Sequence, residues 1–106
     1  MIQEIKAQEL KELLDKQEDF QLVDVREDFE YQLVKLPHST WIPLRHLPER
    51  MSELDQNKKT VVLCHHGMRS YQAALYLSEE GFEDVYNLVG GIDAYANEVD
   101  NSLPRY

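Results

Sequence analysis

The segment "KTVVLCHHGMRSYQAALYLSEEG" at residues 59–81 decides the fold class, because a buried strand leads directly into a helix within it. Val61, Val62 and Leu63 form a continuous apolar run of the kind that parallel sheets bury on both faces. Alanine and leucine then recur at helical spacing, and Gly81 is a favourable residue for ending the helix. The pattern predicts a strand, a short loop and a helix.

The rest of the chain alternates between strand-like and helix-like patterns. In order these are "AQELKELLDK" (7–16, helix), "FQLVDVR" (20–26, strand), "REDFEYQLV" (26–34, helix), "TWIPL" (40–44, extended), "LRHLPERMSEL" (44–54, helix), "DVYNLVGG" (84–91, strand) and "IDAYANEV" (92–99, helix). Such alternation predicts an α/β fold with a mostly parallel central sheet flanked by helices. A length of 106 residues favours one domain, which we assign to residues 1–99, with residues 100–106 as a C-terminal tail.

The charge balance excludes two classes of partner. The chain carries 20 acidic and 11 basic residues, a net charge of -9, whereas nucleic acids and anionic membranes are bound mainly through lysine and arginine. The N-terminus lacks the pattern of a signal peptide, and no apolar run approaches the roughly 20 residues that span a bilayer. We therefore expect a cytoplasmic protein that binds neither nucleic acid nor membrane. The sequence does not define the oligomeric state.

Cys64 is the only cysteine of the chain and comes directly after the predicted central strand. In open α/β sheets, ligands bind beyond the carboxyl ends of the strands, where loops lead into helices. The amide groups of such a loop and the start of the next helix stabilise an anion, and a thiolate is one. Such surroundings lower a cysteine pKa from about 8.5 to between about 3.5 and 7.5. With Gly67 and Arg69 close in sequence, the pattern favours a nucleophilic thiol over a structural one.

Two histidines follow Cys64, which makes metal binding an alternative. A structural zinc site needs about four ligands at separated spacings, and the chain has no second cysteine. In a cysteine-protease pair, the histidine must face the nucleophile across space, and a histidine adjacent in sequence does not meet this need. We therefore predict no metal and no other cofactor. His65 and His66 are predicted to line the mouth of the pocket, where their charge depends on pH.

The segment "CHHGMRS" at residues 64–70 has the spacing CxxGxRS and resembles the active-site loop of the rhodanese family of sulfurtransferases. Three further segments are similar to motifs of that family and occur in the same order. These are "LVDVREDFEY" at 22–31, "IPL" at 42–44 and "YNLVGGIDAY" at 86–95. The resemblance covers nearly the whole chain and implies a single rhodanese-like domain.

The resemblance also implies an activity. Cys64 would attack a small sulfur donor or a persulfide-carrying protein, hold the sulfur as a persulfide and pass it to a thiol or cyanide. The loop after the nucleophile would cradle the outer sulfur with its amide groups. That loop consists of His65, His66, Gly67, Met68 and Arg69. By the same resemblance, Asp24, Arg26 and Ser70 are expected to support the loop.

Two segments depart from the family pattern, and two other functions stay open. Residues 34–39 read "VKLPHS" where the family usually has GHIPGA, and Tyr95 stands where tryptophan is usual. One alternative function is a non-catalytic binding or regulatory module, although inactive relatives commonly lose the cysteine. The other is a phosphatase or arsenate reductase, but those loops place five residues between cysteine and arginine. Only four, "HHGM", separate Cys64 from Arg69.

Overall fold

The computed structural model describes residues 2–106 and contains five strands and five α-helices in that range. In chain order they are β1 (Gln3–Ile5), α1 (Ala7–Asp15), β2 (Phe20–Asp24), α2 (Asp28–Leu33), β3 (Ser39–Trp41), α3 (Leu47–Arg50), β4 (Lys59–Leu63), α4 (Met68–Glu79), β5 (Val85–Leu88) and α5 (Gly91–Glu98). The predicted α/β class is confirmed, and the strongly apolar run at residues 61–63 is the central strand of the sheet.

All strands are parallel, in the order β1-β5-β4-β2-β3. Strand β1 was not predicted, because only three residues pair and the first two are exposed, which leaves no apolar run to find. Its last residue, Ile5, pairs in register with Leu88 of β5. The other four strands coincide with the predicted extended segments, so the sequence pattern missed only a short edge strand.

Each face of the sheet is covered by its own apolar cluster. One cluster joins the sheet to α1 and α5 through residues such as Leu10 and Ile92. The other joins it to α3 and α4 through residues such as Leu47 and Leu77. Val61 and Leu63 belong to the first cluster and Val62 to the second, because side chains alternate along a strand. Strand β4 is therefore buried on both faces, as expected for the centre of a parallel sheet.

The segment predicted to be helical at residues 44–54 consists of three short helical pieces. A 3-10 turn at Leu44–His46 precedes α3, and a second at Met51–Glu53 follows it. Pro48 lies in the first turn of α3. Proline lacks a backbone N–H and restricts the residue before it, so it is tolerated at a helix start but interrupts a longer helix. The segment is therefore helical in pieces, with Pro48 at the start of one of them.

The connection "VKLPHS" retains a left-handed residue without glycine. His38 stands where the resemblance expects the second glycine of GHIPGA, and its φ is 65°. This is the region that favours glycine and disfavours residues with a Cβ. The departure from the family pattern therefore changes the side chain at this turn while the backbone keeps a glycine-like conformation.

The predicted tail at residues 100–106 contains no helix or strand, yet it folds back onto the domain. Arg105 pairs with Asp93 of α5, and the ring of Tyr106 lies against His65 in the loop after β4. Within residues 2–106, no helix is both long and apolar enough to cross a membrane. The carboxyl ends of β2, β4 and β5 meet at one edge of the sheet, and the end of the tail comes to this same edge.

Candidate active site

Cys64 lies immediately after β4, at the carboxyl edge of the sheet, with only 1% of its surface exposed. The amide N–H of Gly67 donates to its Sγ at 3.0 Å, and the hydroxyl of Ser70 lies 3.3 Å from the same sulfur. Gly67 has a φ of 109°, which turns the chain so that its amide faces back towards the sulfur and α4 can begin at the next residue. The sulfur thus sits beneath a tight loop and beside the start of a helix, where a negative charge is stabilised.

Asn87 is a part of this site that the sequence analysis did not identify. Its Oδ1 accepts from the Ser70 hydroxyl at 2.5 Å, and its Nδ2 donates to the Gly67 carbonyl at 3.1 Å. The hydroxyl has one proton, so it donates either to Asn87 or to the sulfur of Cys64 at a given moment. Ser70 can therefore turn its proton towards a sulfur that becomes charged. A polar residue within the apolar strand "VYNL" was the signal available in the sequence.

The first turn of α5 fixes the carbonyl groups of the catalytic loop. The N–H of Ile92 donates to the Cys64 carbonyl at 2.9 Å, and that of Asp93 donates to the His65 carbonyl at 3.1 Å. Because a trans peptide places its C=O and N–H on opposite sides, the next two loop amides point away from α5. Gly91 permits this approach: a Cβ there would lie 2.3 Å from the His65 carbonyl oxygen.

Arg69 does not point a free charge at the sulfur. Its guanidinium holds the Glu30 carboxylate through two bonds of 2.6 and 2.8 Å, which joins α4 to α2. The hydrogen bond from Arg69 lowers the pKa of Glu30 to about 2, and the same bond raises the pKa of Arg69. The pair carries no net charge, so its electrostatic field at the loop is weaker than that of an unpaired arginine.

Asp24 and Arg26 form a fully buried ion pair behind the loop. The Arg26 guanidinium donates to the Asp24 carboxylate at 2.9 and 2.7 Å, and also to the carbonyls of Glu30 and Val34 at 3.2 and 2.6 Å. Burial disfavours the charge of Arg26, but Asp24 outweighs this effect and the pKa of Arg26 is raised. The pair fixes α2 against the end of β2.

The remaining loop side chains point in different directions. The ring of His65 is stacked between those of His66 and Tyr106, with centroids 3.9 Å apart on both sides. Burial lowers the pKa of His65, so at pH 7 its ring is predominantly neutral. His66 is exposed, and Met68 is 81% exposed at the start of α4. His66 and Met68 are therefore the most exposed side chains of the loop.

His65, His66 and Asp93 are the group within residues 2–106 that could hold a metal, since their ligand atoms lie within 4.8 Å of one another. Arg105 already donates to both Asp93 oxygens, at 3.1 and 3.2 Å, and so supplies a positive charge at this position. The two imidazoles are stacked face to face, and this arrangement does not direct two nitrogen lone pairs at one point. We assign the cluster no metal-binding role.

A surface groove of about 420 Å³ lies far from the thiol. It lies at the amino ends of the strands, where β2 begins and just before β3. The residues that line it are Leu13, Leu14, Gln17, Glu18, Phe20 and His38. Because it contains no nucleophile, we place the chemistry at Cys64 and not in this groove.

Cys64 thus lies where a strand of a parallel sheet leads into a helix, close to a loop amide and a hydroxyl. This arrangement is typical of an active site built around a cysteine. Comparison with protein families agrees with this class: the family described as "Rhodanese-like domain" matches residues 6–98. The chain belongs to the rhodanese-like domain family.

Several relatives of similar length carry related names. The chain is 40% identical over 96 residues to a sulfurtransferase of Allochromatium vinosum, covering 91% of this chain and 90% of that protein. It is 38% identical to the thiosulfate sulfurtransferase GlpE of Pseudoalteromonas translucida, covering 89% of each. A rhodanese-like domain protein from Staphylococcus aureus has a TM-score of 0.85 at 30% identity, with 98% of both chains covered. Two longer relatives from Arabidopsis thaliana are matched over only 31% and 25% of their length.

Proposed function

We propose that this chain is a sulfurtransferase that carries sulfane sulfur as a persulfide on Cys64. In the first step, the Cys64 thiolate attacks the outer sulfur of a donor persulfide. The new bond joins Sγ to that sulfur, the donor's S–S bond breaks, and the donor leaves as a thiolate with the bonding pair. No external oxidant or reductant is needed, because one S–S bond replaces another.

In the second step, an acceptor attacks the outer sulfur of the Cys64 persulfide. A thiolate acceptor becomes a persulfide and cyanide becomes thiocyanate, while the electron pair of the broken S–S bond returns to Sγ. Cys64 is restored as a thiolate. In both steps negative charge develops on sulfur, and fixed N–H and O–H groups stabilise such charge without reorganising.

The observation that carries this proposal is the environment of Sγ. Two donors, the Gly67 amide and the Ser70 hydroxyl, lie at 3.0 and 3.3 Å from a buried sulfur. A structural cysteine packs as a small hydrophobe and needs no such donors. The relatives of similar length that are named sulfurtransferases support the same reaction class.

Incubation with glutathione persulfide or thiosulfate should raise the intact mass of the protein by one sulfur atom. Dithiothreitol should reverse the change, because the persulfide passes its outer sulfur to a thiol. Cys64→Ser should show no mass increase. Intact-mass spectrometry before and after the reductant makes the measurement. A wild type that stays unmodified with both donors would exclude the proposed function and favour a binding module.

Phosphatase chemistry is the weaker alternative because of Arg69. Phosphatase chemistry at a cysteine loop needs an arginine free to bind two phosphate oxygens. Here both terminal guanidinium nitrogens, Nη1 and Nη2, donate to the buried Glu30 carboxylate. The four-residue spacing after Cys64 also leaves a smaller ring of amides than phosphate requires. Both observations favour a single sulfur atom as the group bound in the loop.

The charge distribution should make dianionic thiosulfate a poorer donor than a persulfide of low charge. The chain carries -9, and the one loop arginine is neutralised by Glu30. His66→Arg should raise kcat/KM for thiosulfate about threefold to tenfold, since it adds a permanent cation at an exposed position beside the loop. Moderate salt should raise the wild-type value, because charges are screened beyond about 10 Å at 0.1 M.

His38→Arg is the matched control for this change. It adds the same charge at an exposed position just before β3, at the opposite edge of the sheet. It should leave kcat/KM for thiosulfate nearly unchanged. A wild type that uses thiosulfate efficiently and loses activity steeply with added salt would contradict the charge argument.

A further inference from the structure

Tyr106 contacts the first residue of the catalytic loop. Its ring stacks on His65 with centroids 3.9 Å apart and planes inclined by 10°. The Nε2 of His65 is buried and has no hydrogen-bond partner among residues 2–106. A buried nitrogen without a partner is unfavourable, so contacts elsewhere must hold the ring in place. Tyr106 supplies one face of that packing.

The hydroxyl of Tyr106 reaches the other end of the loop through Glu30. It donates to Glu30 Oε2 at 2.9 Å and accepts from Arg26 Nη1 at 2.9 Å. Burial raises the pKa of Tyr106 to about 12, so the phenol keeps the proton that it donates. Glu30 in turn holds Arg69, the last residue of the loop, through two bonds. One side chain is thus connected to both ends of the segment 65–69.

We propose that Tyr106, outside the family-matched residues 6–98, is a positioning residue that fixes both ends of the catalytic loop for sulfur transfer. This inference rests on the proposed function and names a further residue that the reaction needs. Tyr106 holds His65 through its ring and Arg69 through its hydroxyl and Glu30. Tyr106 therefore supports the active site from outside the family-matched residues.

The chemical reason is preorganisation of the loop. Segment 65–67 has no helical or strand bonds of its own, so its amides keep their direction only through anchors. The first turn of α5 anchors two carbonyls, and Asn87 anchors that of Gly67. Tyr106 restrains the His65 side chain by stacking and the Arg69 side chain through Glu30. Amides that must reorient during the reaction stabilise charge less well than fixed ones, so loss of Tyr106 should lower kcat.

The test compares Tyr106→Phe and Tyr106→Ala with glutathione persulfide as donor and dithiothreitol as acceptor. Tyr106→Ala removes both the ring and the hydroxyl, and its kcat should fall about tenfold with KM changed less than about twofold. Tyr106→Phe keeps the stack and loses only the hydroxyl, so its kcat should fall less. NMR titration of the His65 imidazole gives a second measurement. Its pKa should rise in Tyr106→Ala, where burial is relieved, and stay low in Tyr106→Phe.

Tyr86→Ala is the control for general loss of stability. Tyr86 is a partly buried tyrosine of β5 with Lys59 over its ring, and it pairs in register with Gln3 and Val61. The kcat of Tyr86→Ala and the pKa of His65 in that variant should match those of the wild type.

An unchanged kcat together with an unchanged His65 pKa in Tyr106→Ala would overturn the proposal. If no donor sulfurates even the wild type, the proposed function fails, while the NMR titration still decides whether Tyr106 holds His65. Should Tyr106→Ala not fold, the smaller kcat loss in Tyr106→Phe decides the role of the hydroxyl.

Discussion

Gly91→Ala should abolish measurable sulfur transfer and destabilise the domain by about 3 kcal/mol or more. The added Cβ would lie 2.3 Å from the carbonyl oxygen of His65 and 2.5 Å from that of Cys64. Both contacts are backbone atoms, which cannot rotate away as the end of a side chain can. The loop and α5 would have to separate, and the bonds that orient the loop carbonyls would be lost.

Gly81→Ala provides a control for the backbone conformation itself. Gly81 has a φ of 103° and Gly91 a φ of 63°, so alanine is strained at both positions. A Cβ at Gly81 meets only the flexible side chain of Gln56, at 3.6 Å or more. This variant should lose about 1 to 2 kcal/mol and keep its activity.

The measurements are urea unfolding and sulfur transfer from glutathione persulfide for both variants. Because the added Cβ meets backbone atoms only at Gly91, the stability loss should be larger there and activity should be lost only there. Equal stability losses, or an active Gly91→Ala, would show that α5 does not determine the position of the loop.

The position of Cys64 was predictable from the sequence because it depends on local patterns. A continuous apolar run ends at the cysteine, and a helical pattern begins a few residues later. In a parallel sheet this places the thiol at the carboxyl edge whatever the details of the other strands. The class of fold and the nucleophile therefore follow from residues close together in the chain.

The roles of Glu30 and Tyr106 were not predictable in the same way. Arg69 lies 39 positions after Glu30 in the chain, and Tyr106 lies 76 positions after Glu30. The chain has 20 acidic residues, and no local sequence pattern distinguishes Glu30 from the others. Nothing close to Arg69 in sequence indicates that its charge is paired, because its partner comes from a distant helix.

Asn87 lies between these two cases. A polar residue within an apolar strand indicates a buried hydrogen bond, and this signal was present in "VYNL". The partners of that bond, Ser70 and the Gly67 carbonyl, depend on β5 lying next to β4. Strand order is set by packing across the whole sheet, so the sequence indicates the residue and not its contacts.

The Glu30–Arg69 pair should give the domain a strong dependence of stability on pH. The pKa of Glu30 is lowered from 4.5 to about 2, so the folded state binds its proton more weakly than the unfolded chain does. The stabilisation is then fully present above the unfolded value and is lost as pH falls from about 4.5 towards 2. A shift of this size corresponds to about 3 kcal/mol at neutral pH. Glu30→Gln should therefore cost about that amount at pH 7.

At pH 3 the difference between wild type and Glu30→Gln should be smaller, because the unfolded chain already binds the Glu30 proton while the folded state, with its pKa of about 2, still resists it. Urea unfolding at pH 7, 5 and 3 measures the difference. Glu53→Gln is the matched control, since Glu53 also accepts two bonds from an arginine, Arg50, but both side chains are exposed. Exposed pairs contribute little, so the stability of this variant should stay close to that of wild type at every pH. A Glu30→Gln loss that is the same at pH 3 and pH 7 would mean that packing of the side chain, and not its charge, stabilises the junction between α2 and the loop.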